Sequence, residues 1–278
     1  MVLTAVLEVL DMTIVNVAIP HMLGAFAATA DQITWILTSY IVAAAVVMPL
    51  TGYLSTWLGR RRLLLTAITG FVVSSALCGL AWNLESMVVF RLAQGVFGAP
   101  LVPLSQAILL DAFPRSRHGQ ALAIFGMGIM VAPVIGPALG GYLTETYSWR
   151  MVFYINVPIG AISMAVIAVA LKGMPRPDRR PVVDWAGVAL FAAGVASILL
   201  GIVEAGRAGA WSRIDVVALL ALGGLVLVAF VAVERRAAEP IVPLRLFKIR
   251  MIVAAVVTRL LAGMAMFGAL SFVPLYLQ

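Results

Sequence analysis

The sequence predicts an all-α integral membrane protein. Hydrophobic residues make up 63% of the 278 residues and charged residues only 11%, whereas a soluble domain is nearer a quarter charged. The mean hydropathy is +1.08. The apolar residues also collect into long stretches of about 20 residues, which is the length that a helix needs to cross a bilayer.

Nine such spans can be placed along the chain, separated by short polar connections. We expect them at residues 1–24, 33–54, 63–81, 87–110, 121–143, 152–171, 185–203, 216–233 and 252–277. A Pro- and Arg-rich stretch at residues 172–181 marks a linker after the sixth span, and a second polar connector at residues 234–250 precedes the ninth. The spans therefore group as six, then two, then one.

Basic residues fall mostly in alternate connections. The connections after the second, fourth, sixth and eighth spans hold fourteen of them: Arg60, Arg61, Arg62, Arg115, Arg117, Lys172, Arg176, Arg179, Arg180, Arg235, Arg236, Arg245, Lys248 and Arg250. The opposite connections hold three: Arg150, Arg207 and Arg213. The positive-inside rule then places the N-terminus in the cytoplasm. It also explains the net charge of +7 without a nucleic-acid partner.

The sequence contains no motif for nucleotide hydrolysis or metal catalysis. No Gly-Lys-Ser/Thr phosphate loop is present, and His21 and His118 are isolated, so neither ATP hydrolysis nor zinc catalysis is expected. We predict that the protein is not an enzyme and that it needs no cofactor. Cys78, the single cysteine, excludes an intramolecular disulfide. The chain starts in an apolar helix and stops at the end of the ninth span, and we expect it to be a C-terminally truncated frame.

The first span carries two carboxyl groups inside an apolar stretch. A charge in mid-membrane costs roughly 2.5–3.5 kcal/mol on insertion scales and therefore normally faces a cavity or a partner. By helical rise Asp11 lies near the middle of the bilayer. Glu8, three residues earlier, shares its face, and two carboxyls this close resist being ionised together. Both are candidates for proton coupling, although Glu8 at the end of the span also has the option of extending its carboxylate out to water.

The fourth span presents a cation, an amide and bare backbone on one face, at Arg91, Gln94, Gly95 and Gly98. Arg91 lies about 9–12 Å below the outer surface by helical rise, and Asp11 lies deeper. Direct contact between them stays open at this point, with a water or Gln94 as the alternative bridge.

The fifth span contains two stripes of unusual composition between residues 126 and 141. Small residues recur every fourth position at Gly128, Ala132, Gly136 and Gly140, which lets another helix backbone approach closely. Prolines at 133 and 137 form the neighbouring stripe. This stretch resembles the antiporter signature in the fifth helix of the major facilitator superfamily, with Gly136-Pro137 and Gly140-Gly141 at its centre.

Two more stretches carry the same resemblance. Gly52, Leu54, Gly59, Arg60 and Arg61 match five positions of the superfamily's cytoplasmic loop signature, in which an aspartate at the position of Thr56 helps to latch the cytoplasmic gate. The Arg91, Gln94 and Gly95 set resembles the fourth-helix signature, whose arginine is implicated in proton transfer.

Three further stretches resemble the drug-exporting members. They are Trp35, Thr38, Ser39 and Tyr40 in the second span, Trp149-Arg150 followed by Phe153, Asn156, Pro158 and Gly160, and Asp184-Trp185 at the start of the seventh. The chain is therefore identified as a member of the drug:proton antiporter-2 family, whose members have fourteen helices.

That resemblance implies the organisation of the chain. Residues 1–171 would form an N-terminal six-helix bundle, residues 172–233 the linker and two inserted helices, and residues 234–278 a connector and the first helix of an incomplete C-terminal bundle. It also implies that the small-residue stripe packs against the C-terminal bundle, which this chain lacks.

The resemblance implies proton-coupled efflux of amphipathic or cationic small molecules by alternating access across the inner membrane. Asp11, Glu8 and Arg91 would couple protons, and Asn16, Tyr40, Gln94, Met127 and Met130 would line the substrate cavity, with ordinary packing as the alternative for the two methionines. The antiporter motif would consist of Gly128, Ala132, Pro133, Gly136, Pro137, Gly140 and Gly141.

Partners and alternative functions stay open at this stage. Some relatives in double-membraned bacteria work with a periplasmic adaptor and an outer-membrane channel, and the short outer loops show no dock for either. Protons, small-molecule substrates and the lipid bilayer are the expected partners. A transporter of a physiological solute such as a sugar, siderophore or lipid precursor would share the fold, and a non-transporting fragment is the third possibility.

Overall fold

The computed structural model describes residues 1–174, 184–237 and 240–276. Within them every regular element is helical. The α-helices are α1 (Val2–Ala25), α2 (Ala30–Ile33), α3 (Trp35–Val47), α4 (Leu50–Leu58), α5 (Arg60–Gly79), α6 (Leu84–Gly98), α7 (Leu101–Ala112), α8 (His118–Thr146), α9 (Met151–Tyr154), α10 (Asn156–Ala170), α11 (Trp185–Ala208), α12 (Ile214–Glu234) and α13 (Arg250–Tyr276). Two 3₁₀ helices lie at Arg115–Arg117 and Leu244–Lys248.

The helices confirm the predicted membrane architecture. Eight stretches among the described residues are long and apolar enough to cross a bilayer, and they correspond to the first eight predicted spans. The ninth predicted span coincides with α13, whose 27 residues give a length of about 40 Å. Residue 277, its predicted end, lies outside the described residues, as does most of the predicted linker.

Two of the predicted spans are interrupted at a proline, and the sixth is divided at Ile155 between α9 and α10. The second span breaks before Pro49, between α3 and α4, and the fourth breaks at Ala99-Pro100, between α6 and α7. A proline cannot donate a backbone hydrogen bond, and its ring clashes with the preceding turn, so a continuous helix is interrupted there. The break in the fourth span exposes a new helix N-terminus inside the bundle.

Two apolar cores lie at different levels of the bundle formed by α1 to α10. The first core contains Leu7, Leu64 and Phe71 among its buried side chains. The second contains Ile14, Met22 and Phe153. In four of the predicted spans one or two polar residues fall between a member of one core and a member of the other: Leu7 and Ile14 flank Asp11, Phe71 and Cys78 flank Ser75, Met87 and Ala99 flank Arg91 and Gln94, and Phe153 and Ile167 flank Asn156.

The small-residue stripe of α8 packs against α1. A β-carbon on Gly128 would collide with Val2, and one on Gly136 would collide with Thr13. One on Gly140 would approach the Ile14 side chain to 2.9 Å. The small residues of the stretch at residues 126–141 thus face α1, while the expected contact of this stretch with the C-terminal bundle stays a prediction for the other face of α8. The close approach that the spacing predicted is made within the chain, to the helix that carries Asp11.

Helices α11 and α12 form a hairpin. Their backbones meet at Gly194 and Gly223, where a β-carbon on Gly223 would lie 2.9 Å from the Gly194 carbonyl oxygen. The hydroxyl of Ser197 donates to the Leu219 carbonyl at 2.8 Å. The Asp184 carboxylate caps α11 by accepting the Gly187 N–H at 2.9 Å, and α11 also packs against α3.

Candidate functional site

The carboxylate of Asp11 accepts three side-chain hydrogen bonds in the middle of the bundle. Arg91 donates from Nη1 to Oδ2 at 2.7 Å, Gln94 donates from Nε2 to Oδ1 at 2.9 Å, and Asn156 donates from Nδ2 to Oδ1 at 2.6 Å. None of these four residues is more than 1% exposed. Three helices, α1, α6 and α10, therefore meet at one buried negative charge.

Arg91 is held by the bundle as well as by the charge of Asp11. Its Nε donates to the Ile36 carbonyl of α3 at 3.1 Å, and its Nη1 also reaches Gln94 Oε1 at 2.7 Å. The guanidinium carbon lies 4.4 Å from the centroid of the Tyr40 ring, a cation–π arrangement that suits a desolvated arginine. The sequence left open whether Asp11 and Arg91 meet directly or through Gln94. Both occur, because Arg91 pairs directly with Asp11 and Gln94 is hydrogen-bonded to each of them.

Asn156 and Ser75 belong to the same network, although the sequence did not single them out as site residues. Asn156 Nδ2 donates to Ser75 Oγ at 2.9 Å, and Ser75 donates to the Phe153 carbonyl at 2.9 Å. Asn156 could have been suspected as a site residue, because it is an asparagine in an apolar span. Ser75 gave no such signal, because a serine in a helix normally bonds to its own preceding turn. We call Asp11, Ser75, Arg91, Gln94 and Asn156 the Asp11 cluster.

The electrostatics of the Asp11 cluster follow from its burial. One negative and one positive charge balance each other between two apolar cores. Removing either charge from a buried pair leaves the other uncompensated, which typically costs 3–5 kcal/mol. The same two charges are hydrogen-bonded to side chains of three helices.

Glu8 occupies a separate buried position on α1. It is 5% exposed, and its Oε2 accepts the backbone N–H of Val102 at 3.1 Å. Val102 lies in the first turn of α7, where the unpaired N–H groups and the helix dipole favour an anion. Glu8 therefore does not extend out to water, and the break at Ala99-Pro100 supplies its partner.

Of the five predicted cavity residues, Gln94 belongs to the Asp11 cluster and Tyr40 packs against its arginine, whereas the other three lie outside it. Asn16 is exposed, and its amide donates to the Met12 carbonyl of its own helix at 3.2 Å. Met127 is 63% exposed and Met130 is 70% exposed on α8. In this arrangement neither methionine approaches Asp11. Among the antiporter-motif residues, Pro137 is exposed and Pro133 is partly buried, and α8 runs unbroken through both.

The predicted gate loop is built around one turn. Gly59 joins α4 to α5 with a φ of +81°, a conformation that L side chains rarely adopt. Arg60 forms an ion pair with Asp111 at the end of α7, and Arg61 donates to the Ala168 carbonyl of α10 at 3.2 Å. Thr56, in the place of the family's aspartate, donates to the Tyr53 carbonyl at 2.7 Å. A charged side chain on α7, which the sequence did not single out, thus pairs with this loop.

Comparison with known proteins decides the family. The family model described as Major Facilitator Superfamily matches residues 1–278. The chain belongs to this superfamily. It is thus a multi-pass membrane protein of a transporter family.

Curated relatives within the superfamily are similar over nearly all of the chain. The fatty acid resistance protein FarB of Neisseria gonorrhoeae is 39% identical over 99% of this chain and 54% of its own length. The multidrug export protein EmrB of Escherichia coli K12 is 36% identical over the same shares. These relatives confirm the resemblance to the drug-exporting branch. The chain spans about half the length of the curated relatives it matches.

Solved structures confirm the superfamily fold. The human organic anion transporter MFSD10 (TETRAN) superposes with a TM-score of 0.57 at 20% identity, over 71% of this chain and 53% of that one. A bacterial homologue of the lysosomal transporter Spinster, inward-facing and occupied, superposes with a TM-score of 0.54 at 19% identity, over 82% and 57%. At these identities the likeness concerns the fold alone.

Proposed function

We propose that this chain is part of a proton-coupled exporter of amphipathic or cationic small molecules, in which Asp11 is the proton-binding group. The observation that carries the proposal is the buried ion pair between Asp11 and Arg91. An intramembrane ionisable residue is expensive to bury, which makes a functional role its default explanation. In this chain the charge also ties three helices together.

The proposed cycle uses competition at the Asp11 carboxylate. A proton that binds there cancels its negative charge and leaves the Arg91 guanidinium without a counter-ion. The bundle then lowers its free energy by moving Arg91 or opening the cluster. A cationic substrate would favour the ionised carboxylate and so the opposite arrangement. Because proton and substrate favour different states, their binding can be exchanged across the membrane by alternating access.

The driving force is adequate for useful export. One elementary charge crossing about 100 mV contributes roughly 2.3 kcal/mol. At about 1.4 kcal/mol per tenfold change, one proton can hold a neutral substrate at a gradient of roughly fifty-fold. This balance needs a single proton-binding carboxyl, and Asp11 is the one that we propose.

The names of the relatives guide the substrate class. EmrB is named as a multidrug export protein and FarB as a fatty acid resistance protein. Their common chemistry is an amphipathic molecule that partitions into the bilayer, so we propose this class as the substrate. A physiological solute carrier is the competing proposal, and a panel of drugs, fatty acids, sugars and siderophores separates the two.

The proposed membrane placement follows from charge. The basic connections are assigned to the cytoplasm by the positive-inside rule, which puts the N-terminus and the start of α1 on that side of the inner membrane. A periplasmic adaptor and an outer-membrane channel are proposed partners only for a host with two membranes.

The test is ethidium–proton exchange in everted vesicles that contain the full-length protein. Asp11→Asn removes the titrating group while keeping its size, and uphill exchange should be lost. Asp31→Asn is the matched control, because the Asp31 side chain is 68% exposed and lies outside the cluster. Uphill exchange at the wild-type rate in Asp11→Asn would show that Asp11 does not bind the coupled proton.

A further inference from the structure

We propose that Glu8 is a second proton-binding site and that the Tyr40 hydroxyl joins it to Asp11. Together with Thr4 and Ser105, these residues would form a proton route from the Asp11 cluster to the end of the bundle where α1 begins. The inference rests on the proposed proton exchange at Asp11 and adds the direction in which the proton leaves.

The position of Glu8 suits a second proton-binding site on the route. Glu8 lies three residues before Asp11 on α1, which is a rise of about 4.5 Å. Its carboxylate is buried against the first turn of α7 and accepts the Val102 N–H at 3.1 Å. Among the described residues no cation pairs with Glu8, whereas Arg91 pairs with Asp11. A buried carboxyl whose hydrogen-bond donor is neutral can be either protonated or ionised.

Tyr40 lies between the two carboxyls. Its side chain is 1% exposed, and its hydroxyl has no hydrogen-bond partner among the described residues. The ring covers the guanidinium of Arg91. The hydroxyl points at Gly98, where a β-carbon would lie 2.6 Å from Oη. Gly98 is one helical turn before Val102, so the hydroxyl lies between the level of Gln94 and the level at which Glu8 is bound.

Two more unpartnered hydroxyls continue the line beyond Glu8. Thr4 and Ser105 are 0% exposed, and neither side-chain oxygen has a hydrogen-bond partner within the part of the chain that the structure describes. Thr4 lies one turn before Glu8 on α1, and Ser105 lies one turn after Val102 on α7. Since α1 packs against α7, both hydroxyls lie on the side of Glu8 that is away from Asp11.

Unpaired buried hydroxyls need an explanation. Leaving one without a partner costs about 1–3 kcal/mol, and the usual remedy is a bound water. A hydroxyl both donates and accepts, so a file of such groups can pass a proton along. Three of them on one line with two carboxyls are better explained by a proton route than by three independent packing faults.

The proton passes from Asp11 through the Tyr40 hydroxyl to Glu8. The O–H bond of protonated Asp11 breaks as its proton passes, directly or through water, to the oxygen of Tyr40. The Tyr40 hydroxyl gives its own proton to the Glu8 carboxylate, forming a new O–H bond there and leaving Tyr40 unchanged. Glu8 then releases the proton to water beside Thr4 and Ser105. The charged groups that act on this path are Glu8 and Asp11 on α1 and Arg91 on α6, while α7 presents a backbone N–H and a hydroxyl.

The experiment compares two rates in proteoliposomes of the full-length protein. The first is uphill ethidium transport driven by a pH gradient, which needs net proton release. The second is ethidium counterflow at equal pH, which does not. Glu8→Gln and Tyr40→Phe should each lower the first rate at least tenfold more than they lower the second. Glu145→Gln and Tyr142→Phe, at exposed positions of α8, should leave both rates unchanged.

Three results would overturn the route or what it rests on. Wild-type uphill transport in both Glu8→Gln and Tyr40→Phe would overturn the route while leaving Asp11 as the coupling group. An equal loss of both rates in Glu8→Gln and in Glu8→Asp would make Glu8 a structural residue, which also overturns it. Uphill transport that survives Asp11→Asn would contradict the proposed function itself, whatever Glu8 does.

Discussion

The Asp11 carboxylate and the Arg91 guanidinium meet at 2.7 Å with neither side chain more than 1% exposed. Eighty positions separate them in the sequence. The ion pair is surrounded by two amide donors and closed off by an apolar core on either side. Its charge balance therefore controls the packing of α1 against α6 and α10, and the predictions below follow from that dependence.

The first prediction concerns stability. Arg91→Met removes the cation and leaves the Asp11 charge buried, which should lower the free energy of unfolding by about 3–5 kcal/mol. Adding Asp11→Asn removes the orphaned charge, so the double variant should be more stable than Arg91→Met alone. Thermal unfolding of the purified proteins in one detergent measures both. A double variant whose loss equals the sum of the two single losses would mean that the residues are not energetically coupled.

The second prediction concerns the contact between α8 and α1. Gly136→Ala places a methyl group against Thr13 and should destabilise the protein by about 1–3 kcal/mol through overpacking. Gly141→Ala is the matched control on the same helix, because nothing lies within 4 Å of its β-carbon. That change should be neutral or stabilising, since alanine is the better helix former. Equal melting temperatures for the two variants would contradict the packing described.

The third prediction concerns Asn156. Asn156→Ala removes a donor at 2.6 Å from Asp11 and leaves Ser75 without its amide partner. A hydrogen bond to a charged group is worth about 1.5–3 kcal/mol, which corresponds to a tenfold or larger fall in proton-driven transport. Gln120→Ala, at an exposed position of α8, serves as the control. Transport by Asn156→Ala at the rate of Gln120→Ala would remove Asn156 from the site.

The sequence predicted the charged centre better than its surroundings. A carboxylate in mid-span and an arginine in an apolar helix are costly wherever they occur, so Asp11 and Arg91 could be recognised without a fold. Asn156 and Ser75 could not be assigned, because an amide or hydroxyl acquires its role only from the partners that folding brings to it. Tertiary packing alone decides which of the polar residues in neighbouring spans meet.

The small-residue stripe shows a similar limit. The spacing of Gly128, Gly136 and Gly140 predicted a close helix contact, and the structure contains one. The spacing carries no information about which helix makes that contact, because a missing side chain permits any backbone to approach. The fourth span was predicted as continuous, so the break at Pro100 was missed. Its use as the binding site for the Glu8 carboxylate depends on how α1 and α7 pack.

The central claim is that Asp11 gives up a proton when substrate binds. The most direct measurement adds ethidium to purified full-length protein in weakly buffered detergent and follows a pH indicator, with ethidium fluorescence recording binding in the same cuvette. We predict proton release on binding in the wild-type protein, and binding without release in Asp11→Asn. Release of the same size in Asp11→Asn would contradict the claim.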